Sequence, residues 1–143
     1  MTVHLQKLSV GSESIQTLAD WQDIVLARRA ARGETPHHVH VTRMFPKQKE
    51  ALLDGGSVYW VIKGSILCRN LIVGLEETTK NGHRACAILM EPGPIPVIPV
   101  PRRAFQGWRY LQAGDAPADL TGPGVGADLP ANLREKLLNL GAW

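Results

Sequence analysis

Two turn signals sit inside one β-rich stretch, SVYWVIKGSILCRNLIVGLEETTKNGHRACAILM, and they constrain the fold more than any other feature. Gly64-Ser65 suits a type II′ hairpin turn and Asn81-Gly82 a type I′ turn. Two-residue loops at both sites set a register. Ile62 then faces Leu67, Trp60 faces Arg69 and Val58 faces Leu71. On the second hairpin Val73 faces Met90, Leu75 faces Ile88 and Glu77 faces Cys86. One sheet face collects Val58, Trp60, Ile62, Leu67, Leu71, Val73, Leu75, Ile88 and Met90, and both turns agree on it. The opposite face carries Tyr59, Val61, Ile66, Cys68, Ile72, Ala85, Ala87 and Leu89, which is also apolar. A sheet wetted on one side alternates cleanly, so this one calls for cover on both faces. A small, mostly antiparallel β-barrel with peripheral helices, an α+β fold, meets that need.

The flanks supply the other elements. VHLQKLSV (3–10) alternates as a strand. SESIQTLADWQDIVLARRAARG (12–33) is a helix, capped by Ser12 or Ser14 and stopped by Gly33, with Arg28, Arg29 and Arg32 at its C-terminal end. Ile15, Leu18, Val25, Ala19 and Leu26 form its apolar face. HHVHVTRMFPK (37–47) is a strand ended by Pro46, and PKQKEALLDGG is a short helix. EPGPIPVIPVP holds five prolines between Pro92 and Pro101, so it is extended and not a central strand. AFQGWRYL (104–111) is a further strand. LPANLREKLLNLG (129–141) is a closing helix.

At 143 residues the chain is expected to form a single globular domain, residues 1–143. Lysine and arginine number 16 against 13 acids, and the isoelectric point is near 9.1. That mild excess permits an anionic partner without demanding one. No stretch approaches a membrane span or a signal peptide, so the expected setting is cytoplasmic, with Cys68 and Cys86 as free thiols.

Three groups of residues carry candidate chemistry. His38 and His40 point to the same side of their strand, but two histidines fall short of a metal site unless His4 or His83 adds a ligand. The pattern reads better as a half-buried strand, and no metal is expected. Trp60 and Arg69 face each other in the turn-derived register, either as a pocket mouth or as a structural stack with an acid such as Glu77 nearby. In PRRAFQGWRYL, Arg102, Arg103 and Arg109 interleave with Phe105, Trp108 and Tyr110. Arginines hold phosphates and aromatic faces stack bases, though Phe105 and Trp108 serve equally as core residues. No nucleophile elbow, phosphate loop or dinucleotide fingerprint is present, and no cofactor is implied.

HVTRMFPK, LLDGGSVYWVIKG and FQGWRYL resemble segments of an uncharacterised alphaproteobacterial family, domain of unknown function 1489, across nearly the whole chain. More distantly, the order of strand, short helix, GGSVYWVIKG and ILCRNLIVGLEE is similar to the PUA-like barrels, including the ASCH and EVE groups. That resemblance implies binding of RNA or a modified nucleotide. The anionic contacts are then Arg43, Lys47, Arg69, Arg102, Arg103 and Arg109, with Trp60 and Trp108 as stacking platforms. A hydrolase of a nucleobase derivative, using Lys47 or Lys63 with Glu77, is the competing enzyme reading. A protein-interaction module built on the proline-rich segment is a third.

Overall fold

The structure is a computed structural model and describes residues 2–103 and 105–120. In chain order the elements are β1 (Val3–Leu8), α1 (Ile15–Ala31), β2 (His38–Thr42), α2 (Lys49–Leu53), β3 (Ser57–Ile62), β4 (Ser65–Lys80), β5 (His83–Met90), β6 (Ile95–Pro101) and β7 (Trp108–Gln112). Each expected element within the described residues is present. The expected closing helix over residues 129–141 lies outside them.

The strands form one mixed sheet of order β2-β5-β4-β3-β1-β7, with β6 also paired to β4. It is a small α+β architecture, but the sheet is not closed. The end strands β2 and β7 do not pair among the described residues, so the architecture shown is an open mixed sheet with two helices. The one parallel pairing, β1 with β3, also departs from a purely antiparallel design. It follows from the chain passing through α1, β2 and α2 before returning beside β1.

Both hairpin turns use two consecutive residues at positive φ, Lys63 and Gly64 in the first, Asn81 and Gly82 in the second. That is the type I′ sign pattern. The first turn therefore lies one residue earlier than Gly64-Ser65, and Ile62 pairs with Ser65. Leu67 then bulges out of the ladder, since Val61 pairs with Ile66 and Trp60 with Cys68. Arg69 consequently faces Tyr59, not Trp60, and Val58 faces Asn70, not Leu71. The second hairpin follows the turn-derived register, with Leu75 on Ile88 and Glu77 on Cys86. A second bulge at Val73 ends it, because Ile72 and not Val73 pairs with Met90.

The two bulges redistribute the faces. The main core holds Val58, Trp60, Ile62, Leu67, Leu75, Ile88 and Met90 as expected, and gains Cys68 and Ile72. Val73 is 37% exposed and Leu71 is only half-buried. Val3, Leu5, Ile15, Leu18, Leu52, Cys86 and Leu120 complete this core. The other face holds a smaller cluster of Tyr59, Val61, Ile66, Val97 and Leu111, with Phe105 packed against it. Both faces are thus covered, as the apolar pattern requires.

The prolines of β6 are accommodated beside β4, and Val97 bridges to Asp119 on the other side. Val97 is buried, while the other apolar residues of the segment stay half-buried or exposed.

Helix α1 starts at Ser14, whose hydroxyl accepts from the Thr17 amide while the Thr17 hydroxyl accepts from the Ser14 amide. Its buried stripe is Ile15, Leu18 and Gln22. Gln22 is fully buried and exchanges hydrogen bonds with Asn70, Nε2 to Oδ1 at 2.9 Å and Nδ2 to Oε1 at 3.0 Å. Asn70 also accepts from Trp60 Nε1 at 2.9 Å and donates to the Glu91 carbonyl at 2.9 Å. The Gly93 amide donates to Gln22 Oε1 at 3.0 Å. Helix, sheet and the β5–β6 connection are thereby joined through one buried amide.

Candidate functional site

The sheet ladder separates the aromatic and cationic residues of PRRAFQGWRYL onto two faces. Strand β7 pairs with β1 so that Arg109 lies opposite Gln6, and Trp108 opposite Lys7. Opposed residues share a face and neighbours alternate. Arg109 and Gln6 therefore lie on the side of the smaller cluster, and Trp108 lies on the side of the main core.

On the first side a groove of about 410 Å³ is lined by Gln6, Arg102, Arg103, Phe105 and Arg109. Arg102 is held in place, its Nε donating to Gln6 Oε1 at 3.1 Å and its Nη1 to the Pro101 carbonyl at 2.9 Å. The Arg109 guanidinium lies 5.0 Å from the centre of the Phe105 ring, a cation–π stack. Among the described residues no carboxylate lines this groove. The ion pairs of the described arginines involve Arg29, Arg32, Arg69 and Arg84, and none of the three groove arginines.

Trp108 belongs elsewhere. Its Nε1 donates to the Met44 carbonyl at 3.0 Å, and its ring meets Tyr110 edge-on. It anchors the chain that leads from β2 into α2. In that region Arg43, Lys47 and Arg84 line a second basic hollow of about 390 Å³ with Phe45. Arg84 is paired with Glu77.

Trp60 and Arg69 join neither hollow. Trp60 is 2% exposed with its indole N–H committed to Asn70, so it is no platform for a base in either basic hollow. Arg69 makes a two-bond contact to Asp119, Nε to Oδ1 and Nη2 to Oδ2, both at 2.8 Å, and a third to Ser57 Oγ. Those hydrogen bonds hold the Asp119 carboxyl below its ordinary pKa and raise that of Arg69. The pair fixes the chain after β7 to the sheet and leaves Arg69 little capacity for a ligand.

The polar groups of the hydrolase reading are also dispersed. Lys63 sits in the first hairpin turn, and Glu77 is exposed and paired with Arg84. Lys47 shares an open hollow along α2 with Glu50 and Asp54.

The histidines fall into two kinds. His4 accepts from the Ser57 amide at 3.0 Å and meets Tyr59 edge-on. His38 and His40 line a different cavity beside Lys7, Trp21 and Trp60. Nδ1 of His38 and Nε2 of His40 are buried without a hydrogen-bond partner. Burial pushes both imidazoles down to about 4, with Lys7 adding to the effect at His40, so both are neutral at pH 7. Lys7 is also lowered, by burial first and then by Lys80. Among the described residues no cluster of three or more histidine, cysteine or acidic side chains is placed to hold a metal ion.

Gln6 and Lys7 gave no sign in the sequence of lining a site, and Phe105 stood there only among the aromatics interleaved with the arginines. Phe105 and Arg109 are four apart with a turn between them, so no strand alternation places them together. Lys7 carried no signal, because its partners come from β2, β3 and α1.

No helix among the described residues is long and apolar enough to cross a membrane. No curated protein and no solved structure matches the chain. A family described as protein of unknown function (DUF1489) matches residues 5–143, and the chain belongs to that family.

Proposed function

We propose that the protein binds RNA or a nucleotide, holding phosphate in the groove of Arg102, Arg103 and Arg109. The observation that carries this reading is three guanidinium groups lining one hollow, with no carboxylate among the described lining residues. Like charges gathered without a counter-charge repel, and a phosphate between them relieves that repulsion with charge-assisted, bidentate hydrogen bonds. Arg109 is already stacked on Phe105. The other plane of its guanidinium is a surface on which a base stacks. The second hollow, with Arg43 and Lys47 near Trp108, gives a longer strand a further set of phosphate contacts.

The same proposal takes the fold as a member of the PUA-like group, on the order of its elements. It also takes the setting as cytoplasmic, which suits the two buried free thiols of Cys68 and Cys86.

The test is a salt titration of binding to short single-stranded RNA, run beside urea melts. Arg103→Ala and Arg109→Ala should each weaken binding and lower the log–log salt slope by about 0.7, one phosphate contact on a single strand. Folding stability should hardly move, because exposed arginines contribute little to it. The proposal fails if wild-type protein binds no RNA at low salt, or if both variants bind it with unchanged affinity and slope.

A further inference from the structure

We propose that the cavity beside His38 and His40 is a second binding site, built for a small organic carboxylate with a flat body. It is separate from the arginine groove and shares no lining residue with it.

The cavity measures about 110 Å³ and is lined by Lys7, Ser12, Trp21, His38, His40 and Trp60 among others, with no acidic residue. That volume holds a single ring with a carboxylate and is too small for a nucleotide. His38 is 1% exposed, yet its Nδ1 has no partner, and the same is true of Nε2 on His40. Buried polar atoms are nearly always satisfied, so two unpartnered ring nitrogens on residues that line one cavity point to groups a ligand can pair with. His4 makes the contrast within this same chain, since its Nδ1 is occupied by the Ser57 amide.

Lys7 settles the charge. It is half-buried, lines the cavity, and takes part in none of the salt bridges or side-chain hydrogen bonds of the described residues. Its electrostatic neighbours are Lys80 and the His40 imidazole. A half-buried ammonium without a counter-ion favours an anion. A neutral imidazole offers one N–H and one lone pair, so the two rings donate to a carboxylate oxygen and accept from a hydroxyl or amino substituent.

The walls settle the shape. Trp60 presents an indole already meeting His40 edge-on at 5.5 Å, and Trp21 on α1 is 45% exposed at the cavity. Two indoles bounding so small a space suit a flat, apolar body, which a bare tetrahedral anion lacks.

Benzoate, benzamide and inorganic phosphate are the probes. Tryptophan fluorescence follows the titrations, and imidazole ¹⁵N shifts locate the site. Benzoate should bind saturably and move the ring signals of His38 and His40. Benzamide and phosphate should each bind at least about tenfold more weakly, a difference near 1.4 kcal/mol. Lys7→Met should reduce benzoate to the level of benzamide, while Lys7→Arg keeps the preference and guards against a folding defect. The proposal is overturned if benzoate does not saturate, as expected of a cavity that holds only water. It is equally overturned if phosphate matches benzoate or if Lys7→Met leaves the preference intact.

Discussion

Replacing Asn70 with alanine tests whether one buried amide joins α1 to the sheet. Asn70 is fully buried and makes four side-chain hydrogen bonds, two with Gln22, one from Trp60 Nε1 and one to the Glu91 carbonyl. Alanine strips a partner from Trp60 Nε1, from Gln22 Nε2 and from the Glu91 carbonyl, while Gln22 Oε1 keeps the Gly93 amide. Each buried group left unsatisfied costs about 1–3 kcal/mol. A water entering the vacated space recovers part of that, so the expected net loss is about 3–5 kcal/mol. Gln22→Leu is the comparison. There Asn70 keeps both Trp60 and Glu91, and the orphaned Gly93 amide belongs to an exposed residue. Its cost should be about 1 kcal/mol. Urea unfolding followed by tryptophan fluorescence measures both, with equal m-values confirming that compactness is unchanged. The reasoning is refuted if Asn70→Ala loses less than about 1 kcal/mol, or if Gln22→Leu loses as much as Asn70→Ala.

Gly56→Ala should cost more than about 2 kcal/mol in the same assay, because the added Cβ lies 2.3 Å from the Leu52 carbonyl oxygen and 2.4 Å from that of Val3. Gly74→Ala should cost about 1 kcal/mol or less, since its Cβ meets only the Leu89 side chain at 3.6 Å. Stability should fall as pH drops from 6.5 towards 4, because His38 and His40 stay neutral in the fold down to about 4 while the unfolded chain takes up their protons from 6.5. Urea midpoints at pH 7 and pH 5 read this, and a His38→Gln, His40→Gln double variant should show a smaller pH-dependent loss than wild type. Cys68 and Cys86, buried and pushed up to about 12 and about 11, should react with a thiol reagent only as fast as the protein unfolds. Rapid labelling of either in native buffer would contradict that.

The elements themselves were legible in the sequence, and so was most of the main core, because turn residues and alternation are local signals. The register was legible only in part. Asn81-Gly82 named its turn directly, and the pairing held back to Gly74. At the first turn the left-handed position is held by Lys63, whose side chain gives no sign of positive φ, so the glycine beside it pointed to the wrong pair. The bulges at Leu67 and Val73 were invisible for a physical reason. Strand β4 is apolar on both faces near them, and a slip of one residue exchanges one hydrophobic set for another. The candidate sites suffered most, because each gathers residues from strands far apart in sequence. Arg69 looked like a free cation until Asp119, fifty residues on, was seen to hold it.

The place of β1 in the sheet sets an order on biosynthesis. Residues 3–8 are made before every strand they pair with, since they lie between β3 and β7, which ends at Gln112. The N-terminal strand can gain its parallel neighbour only after residue 62 is made, and its antiparallel one only after residue 112. Until then Val3 and Leu5 have no second strand to shield them, and the exposed edge of β1 is open to pairing with another nascent chain. The hairpins of β3, β4 and β5 need no such wait, since their turns close locally. In this topology the middle strands can pair before β1 can be enclosed on both sides.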